Sequence, residues 1–312
     1  MNPTRLLTLI SAALIMSACD NTHSHGEPEP DNTPGNNQAA YGTVTVTVLE
    51  YNPAPGQFIN ELPPYTDGDD AAAMATAAQK RLNDRNIISL GALGGNITLR
   101  LERPIANIPG TPNLRVCGNA YLSGTMPDGT PYGSAEPGIV EVMEDSNGNG
   151  IPDDGPWFML RGSEYERMQK VTVSYLRPDS HQGDIFYTLT GEDGTTETGV
   201  LPHQNTYHEQ PYYPLWLSEN ELTFTTWMLP PNGIYDTESG LYRLLAPEGY
   251  ADSYPNNDIR SALYISDAVD SQGIKVNLKK INFIRVTTAV LQHNGALGEC
   301  STEISGIECL NR

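Results

Sequence analysis

Apolar and polar residues alternate where the chain first acquires packing potential. In residues 42–49, Val44, Val46 and Val48 alternate with threonines. A period of two places successive side chains on opposite faces of a strand, so this segment predicts a half-buried β-strand. Runs of β-branched, aromatic or alternating apolar residues predict further strands at 96–101, 113–117, 138–143, 157–161, 170–176, 184–190, 221–228, 241–245, 262–265, 274–278 and 280–291.

One segment has the pattern of a helix. The Ala-rich residues 71–82 follow Asp69 and Asp70, which suit the N-terminus of a helix, and Lys80 and Arg81 lie near its end. Its alanines suggest a helix that packs closely on a sheet. Many strands with Gly- and Pro-rich connections indicate a mostly β protein, namely a β-sandwich or jelly roll with one short Ala-rich helix and long loops. A β-propeller would show a repeat of about 40–50 residues, and none is visible.

The N-terminal segment has the three parts of an export signal. Arg5 is followed by an apolar run from Leu6 to Met16, which is too short to span a bilayer, and then by small residues. The tetrad Met16-Ser17-Ala18-Cys19 resembles the lipobox of bacterial lipoproteins, which implies that Cys19 is acylated. The predicted organisation is a signal peptide at 1–18, a disordered tether at 19–40 and a single β-sandwich domain at 41–312.

The tether and the lipid predict a location. Residues 20–40 contain no large apolar side chain, so they cannot offset their ordering entropy by packing. Acyl chains contribute about 0.8 kcal/mol per buried CH₂, enough to hold the protein at a membrane. We expect an envelope protein anchored by lipid, with the outer membrane favoured. Asp20 favours inner-membrane retention under enterobacterial sorting, so the sequence leaves the leaflet open.

The charge balance excludes one class of partner. The chain has 38 acidic and 18 basic residues, a net charge of −20. Removal of residues 1–18 takes away one arginine and no acid, which makes the mature chain one unit more negative. Nucleic-acid binding requires a basic surface, so it is not expected.

Residues 145–154 have the spacing of a calcium loop. Calcium loops place oxygen ligands at alternate positions, a backbone carbonyl at position 7 and glycine at position 6, which here is Gly150. Position 12 is Pro156 rather than the bidentate Glu of an EF-hand, and Glu144 and Glu164 are candidates to close the site. The pattern resembles thrombospondin-type and dockerin-like loops and predicts a structural Ca²⁺ ion. The predicted ligand residues are Asp145, Asn147, Asn149, Ile151, Asp153 and Asp154.

An aromatic segment is the candidate ligand site. Exposed aromatic rings in a Pro-rich loop stack on sugars, planar cofactors or partner proteins, whereas buried rings only fill the core. The sequence leaves both interpretations of 203–227 open. No nucleophile elbow, zinc-protease motif or phosphate loop is present. The candidate ligand-binding residues are Tyr207, Tyr212, Tyr213, Trp216 and Trp227.

Three cysteines remain after Cys19. In an oxidising compartment, Cys300 and Cys309 are close enough in sequence to form a disulfide. A bridge between Cys117 and Cys300 is the alternative, and sequence alone does not choose between the two pairings.

Several stretches resemble known secreted proteins. Residues 89–99 with Pro104-Ile105 resemble the opening of galactose-binding-like β-sandwich domains. Residues 136–142, 51–60 and 298–304, and the Trp157…Gly162-Ser-Glu-Tyr165 segment, resemble bacterial surface lipoproteins usually called only "cell surface protein". Some similar proteins accompany TonB-dependent receptors, including corrinoid-uptake systems. The resemblance implies a non-catalytic ligand-capture role.

These observations predict a calcium-stabilised, non-catalytic binding lipoprotein of the envelope. A carbohydrate, a corrinoid or a TonB-dependent receptor is the expected partner, and the membrane is contacted through the lipid. The first alternative is a carbohydrate hydrolase, which requires two facing carboxylates roughly 5–10 Å apart. The second is an adhesion or assembly protein that binds through a flat apolar patch in the aromatic loop.

Overall fold

A computed structural model describes residues 39–204 and 209–312. The predicted signal peptide, Cys19, nearly all of the predicted tether and Tyr207 lie outside these residues.

The described chain is mostly β, with 40% of residues in strands and 9% in helices. All its strand pairs are antiparallel, and the strands are numbered here in chain order. The largest sheet has six strands, with β17 near its centre, where it pairs with β8 on one side and β4 on the other. In sheet order, these strands are β16 (Ala268–Val269), β9 (Phe158–Leu160), β8 (Gly138–Met143), β17 (Lys280–Thr288), β4 (Asn96–Ala106) and β2 (Val46–Asn52).

Four smaller sheets surround it in a propeller-like arrangement. One contains β1 (Gly42–Val44), β19 (Gly306–Cys309) and β5 (Leu114–Cys117). A second contains β12 (Thr196–Leu201), β11 (Ile185–Gly191), β10 (Gln169–Leu176) and β13 (Glu221–Met228). A third contains β14 (Gly233–Asp236), β15 (Leu241–Leu245), β7 (Pro131–Ser134) and β6 (Tyr121–Thr125). The shortest pairs β18 (Glu303–Ile304) with β3 (Ile88–Ser89).

The predicted helix is confirmed as α1 (Ala71–Asn83). Asp70 caps it, since its side chain accepts a hydrogen bond from Ala73 N at 2.9 Å. Met74, Ala78 and Leu82 lie on the buried face and pack into the main core, which the six-stranded sheet lines on its inner side. None of these three side chains is β-branched and Ala78 is small, which suits the close approach of helix and sheet that the Ala content predicted.

The strand predictions are largely confirmed, with two corrections. Residues 138–143, 221–228 and 241–245 form strands with the predicted bounds. Residues 262–265 and 274–278 were predicted as strands, and this is wrong, because each makes only an isolated bridge. The division into sheets of 3, 4, 4, 6 and 2 strands also differs from the two facing sheets of the predicted jelly roll. Sheets of such unequal size explain why the sequence shows no propeller repeat.

Short 3₁₀ turns complete the described secondary structure, at Tyr165–Arg167, Ile259–Ser261, Ile265–Asp267 and Gly295–Leu297. Within the described ranges, no helix combines the length and apolar character needed to cross a membrane.

Candidate metal centre

The predicted calcium loop joins β8 to β9 and lies against the six-stranded sheet. Asp145 N donates to Asn282 Oδ1 of β17 at 3.1 Å, which fixes the start of the loop. Asp145 Oδ1 accepts hydrogen bonds from Gly148 N and Asn149 N at 2.7 and 3.2 Å, and Oδ2 accepts one from Gly150 N at 3.0 Å. Gly148 and Gly150 have φ angles of 74° and 73°, a region that glycine adopts without strain.

Polar side chains draw the rest of the loop together. Asn149 N donates to Asn147 Oδ1 at 2.8 Å, and the two Asn amides donate to Asp153 Oδ1 at 3.3 and 3.1 Å. Asp154 Oδ2 accepts from Ser146 N at 2.8 Å. The loop therefore gathers the predicted ligand residues into one largely exposed turn that is rich in oxygen atoms.

The other predicted ligands of the loop are the carbonyl of Ile151 and a closing carboxylate from Glu144 or Glu164. Ile151, of which only the carbonyl was predicted as a ligand, has an exposed side chain. Glu144 Oε1 lies 4.0 Å from Lys280 Nζ, and Glu164 pairs with Arg167 at 2.7 Å. Both carboxylates considered as closing ligands are thus engaged with basic side chains.

A second group of carboxylates, not predicted from the sequence, lies in the interior. Glu136, Asp252 and Glu303 each offer one oxygen, and these oxygens all lie within 4.8 Å of one another. Two oxygens that bind one Ca²⁺ ion at 2.3–2.6 Å are at most about 5 Å apart. The three residues, called the carboxylate triad below, are therefore close enough to bind a single ion of this size.

Asp252 is the most firmly positioned member of the triad. It is 4% exposed, and its Oδ1 accepts from the backbone N–H groups of Asn119 and Ala120 at 3.0 and 2.9 Å. Its Oδ2 accepts from Glu303 N at 3.0 Å, and its backbone has a φ of 51°. A Cβ at Gly118 would lie 2.4 Å from Asp252 Oδ1, so only glycine permits this approach.

The two glutamates of the triad come from segments that are distant in sequence. Glu136, which is half-buried, lies two residues before β8 and accepts from Ser301 N at 3.1 Å. Glu303 lies in β18, is 4% exposed and accepts from Asn119 Nδ2 at 2.7 Å. An ionised carboxylate has about four lone-pair sites, so each glutamate keeps acceptor capacity beyond the bond named here. The triad thus joins three segments that are distant in sequence.

Burial and mutual repulsion act together on the triad. Loss of solvation raises the pKa of Asp252 to about 7 and raises the pKa values of Glu136 and Glu303 well above the usual carboxyl range. The neighbouring carboxylates raise the pKa of Glu136 further. The electrostatic partners of the triad are acidic rather than basic in the described chain. Ionisation therefore requires a compensating cation.

The donor set decides which cation would fit. Carboxylate oxygens alone suit hard cations such as Ca²⁺, whereas zinc and copper favour sites with nitrogen or sulfur. An ion here would link the 118–120 backbone, the loop that contains Asp252 and the C-terminal β18. The role of such an ion would be structural, because it would hold together three chain segments whose carboxylates otherwise repel one another.

The structure corrects the prediction of an aromatic binding platform. Tyr212 and Tyr213 are 1% and 2% exposed and belong to a hydrophobic cluster. Trp216 packs on the main core, with its ring centroid 6.3 Å from that of Tyr51, and Trp227 packs partly buried on another cluster. Tyr212 and Tyr213 therefore fill the interior, and Trp216 and Trp227 pack partly buried against it, so the four rings do not form an exposed platform.

The predicted Cys300–Cys309 disulfide is wrong for this structure. Cys300 and Cys309 are both buried free thiols, and they lie in two different hydrophobic clusters. Closeness in sequence failed as a guide because β18 and β19 place the intervening residues in separate sheets. Since Cys300 is free, the alternative bridge to Cys117 is absent as well.

Comparison of the chain with family models and with curated proteins finds no match in either. The resemblance to surface lipoproteins and galactose-binding-like domains therefore stays a prediction.

Asp252 belongs to the segment 250–258, in which polar residues lie next to Tyr250 and Tyr254. Nothing in the sequence connects Asp252 to Glu136 or Glu303.

Proposed function

We propose that the protein is a calcium-stabilised lipoprotein of the cell envelope that binds a ligand or partner without turning it over. Cys19 would be the lipid-bearing residue, and residues 20–40 would be the tether. The role suits either a sandwich-type or a propeller-like grouping of the sheets, because both present loops at the sheet edges.

The carboxylate triad is the observation that carries the calcium part of this proposal. Three acidic groups within 4.8 Å of one another, two of them buried, repel each other strongly unless they are protonated or share a cation. Extracellular calcium is commonly bound at about 10⁻⁴–10⁻³ M, a range that suits an envelope protein. The loop at 145–154 is the second calcium site in this proposal.

The ligand-binding part rests on the predicted anchor and on the resemblance to surface lipoproteins. An expected carbohydrate, corrinoid or TonB-dependent receptor would be captured on the outward surface. The aromatic rings of 212–227 are largely buried, so we no longer assign the ligand to them. Binding without turnover is consistent with carboxylates that would hold an ion rather than face a substrate cleft.

The test is thermal unfolding of the purified full chain in detergent, first in EGTA and then in millimolar Ca²⁺. Stabilisation by a ligand is about 2.7 kcal/mol at one hundred times its Kd, so a clear rise in midpoint is expected. Glu303→Gln should remove most of the rise, because it replaces one triad carboxylate by an amide of the same shape.

Glu197→Gln is the matched control, since Glu197 is an exposed carboxylate on β12. It should keep the full calcium response. An unchanged midpoint in the native chain on adding Ca²⁺, with no ion detected by calorimetry, would contradict the calcium part of the proposal. Recovery of Cys19→Ser in the soluble fraction tests the anchor separately, and its retention in the membrane would contradict the lipoprotein part.

A further inference from the structure

A cavity lies between strand β4 and the loop at 145–154, beside the six-stranded sheet. This cavity, called the β4 cavity below, opens to solvent and has a volume of about 340 Å³. Ligand pockets in proteins run from about 300 to 1,000 Å³, so the β4 cavity is large enough for a molecule the size of a sugar ring. Its wall includes Arg100, Glu102, Pro104, Asp145, Gly150 and Asn282.

An irregularity in the sheet accompanies the cavity. Ile281 of β17 pairs with Ile105 of β4, and two residues further along β17, Phe283 pairs with Arg100. A single residue of β17 therefore lies opposite residues 101–104 of β4, and the two strands lose their register there. Such bulges bend a strand and re-aim its side chains, and they are frequent next to functional sites. The β4 cavity thus lies where the sheet itself departs from regular pairing.

Arg100 brings a positive charge with open donors to the cavity wall. Its guanidinium has five N–H donors, and within the described chain it donates one hydrogen bond, from Nη2 to Thr47 Oγ1 at 3.4 Å. Arg100 takes part in none of the ion pairs of the described residues. Gly150 lets the guanidinium lie close to the loop, since an added Cβ would be 2.9 Å from Nη1. A half-buried guanidinium of this kind favours a ligand that accepts hydrogen bonds.

Asn282 supplies a second donor group to the same wall. Its Oδ1 accepts a hydrogen bond from Asp145 N at 3.1 Å, which commits the oxygen of the amide to the loop. Its Nδ2 has two N–H donors, and no residue in the described ranges accepts from them. The nitrogen of this amide is therefore available to a ligand in the β4 cavity.

Glu102 supplies an acceptor and balances the charge of Arg100. Its Oε1 accepts from Thr47 Oγ1 at 3.2 Å, and the residue is exposed, so the carboxylate keeps acceptor capacity. An anionic ligand would meet Glu102, and a cationic ligand would meet Arg100. A neutral molecule with several hydroxyl groups suits this wall, because each hydroxyl both donates and accepts. Pro104 adds an apolar surface for the C–H groups of such a molecule.

We propose that the β4 cavity binds a neutral saccharide, whose hydroxyl groups accept from Arg100 and Asn282 and donate to Glu102. This inference rests on the proposed function and names the class of its ligand and the place where the ligand binds. A corrinoid is too large for a cavity of this volume, and a protein receptor requires a much broader contact surface.

The experiment is titration of the full chain with maltose, lactose, mannose, N-acetylglucosamine and glucuronate, followed by saturation-transfer NMR and calorimetry. The buffer contains millimolar Ca²⁺ and a detergent without a sugar headgroup. We expect at least one neutral sugar to bind the native chain more tightly than glucuronate does. Arg100→Gln should weaken that binding roughly tenfold, because a charge-assisted donor is lost.

Two further variants separate the cavity from the fold. Asn282→Asp keeps the oxygen that accepts from Asp145 N but removes the Nδ2 donor, so it should weaken sugar binding roughly tenfold as well. Arg103→Gln is the matched control, since Arg103 is an exposed neighbour that is not part of the cavity wall. It should bind the sugar as the native chain does. Unfolding midpoints with EGTA and with Ca²⁺ are measured on the same samples.

Sugar binding that is unchanged in both Arg100→Gln and Asn282→Asp would overturn the β4 cavity as the site, while the ligand-binding part of the proposed function would stand. Tighter binding of glucuronate than of every neutral sugar would overturn the ligand class. A native chain that gains stability with Ca²⁺ but binds none of the sugars would reject this inference and leave the calcium part intact. If Arg100→Gln does not fold, Asn282→Asp decides the question.

Discussion

The loop at 145–154 and the carboxylate triad are two acidic regions that handle their charge in opposite ways. In the loop, Asp145 and Asp154 accept hydrogen bonds from nearby backbone N–H groups, and much of the turn is open to water. In the triad, Asp252 and Glu303 are buried, and the pKa values are raised by lost solvation. The loop carboxylates therefore have water and N–H donors around them, whereas burial makes ionisation of the triad costly.

This difference separates a site that is visible in sequence from one that is not. A loop that supplies its own donors has most of its hydrogen-bond partners within ten residues, so its spacing is a readable pattern. A buried triad needs partners from three segments, and its acids look like any others in a chain with 38 of them. The triad, whose removal we expect to change stability more, is thus the site that residue spacing could not reveal.

The largest effect we expect is a pH dependence of stability that calcium removes. Raised carboxyl pKa values mean that the folded chain binds more protons than the unfolded chain between about pH 4 and pH 7, so stability falls as pH rises through this window. For Asp252 alone the loss is on the order of 4 kcal/mol. Urea unfolding in EGTA from pH 4.5 to 8 measures it, and Ca²⁺ should flatten the curve.

Asp252→Asn should reduce the slope of the curve in EGTA, because an amide does not titrate, while Glu136 and Glu303 still contribute. Asp128→Asn, at an exposed aspartate, is its control and should leave the slope unchanged. A stability that rises with pH in EGTA would contradict the buried, uncompensated triad.

A smaller effect is expected from Gly118→Ala. The added Cβ would lie 2.4 Å from Asp252 Oδ1 and 2.8 Å from Glu303 O, so the triad must shift. We expect a loss of about 2 kcal/mol, as for other overpacked interiors, together with weaker calcium binding by calorimetry. Unchanged calcium affinity in a destabilised variant would separate the packing of Gly118 from the ion site.

A smaller loss of stability is expected from Asp145→Ala in the loop. Three backbone N–H groups lose their acceptor, yet water can replace it at this open site, so we expect about 1 kcal/mol in EGTA. Calcium should no longer protect residues 146–152 from limited proteolysis. Protection that persists in the variant would show that the ion does not bind in the loop.

An effect of similar size to that of Asp145→Ala is expected from Gly150→Ala. Alanine at a φ of 73° costs about 1 kcal/mol or slightly more, and Arg100 Nη1, at 2.9 Å from the added Cβ, belongs to a flexible side chain that can move away. Hydrogen exchange of the loop amides measures the local loosening. A loss as large as that of Gly118→Ala would show that the two regions are more alike in rigidity than their burial indicates.

Local patterns predicted the elements well and their grouping poorly. Alternation and β-branched runs identified strands such as 138–143 and 221–228, and the Asp-capped alanine run identified α1. The pattern failed at 262–265, where apolar residues are buried by loop packing rather than by pairing, and at 274–278, where Ile274 is exposed. It also missed β12 and β14, which are short, exposed edge strands with weak hydrophobic signals.

The sequence by itself determined the mostly β class, the capped helix and the fold of the calcium-type loop, because each depends on residues close together in the chain. Only the tertiary structure decided that Tyr212 and Tyr213 are core residues and that Cys300 and Cys309 lie apart. It alone brought together Glu136, Asp252 and Glu303. The physical reason is that burial, which turns scattered acids into a strained site, is a property of how segments pack and not of their spacing.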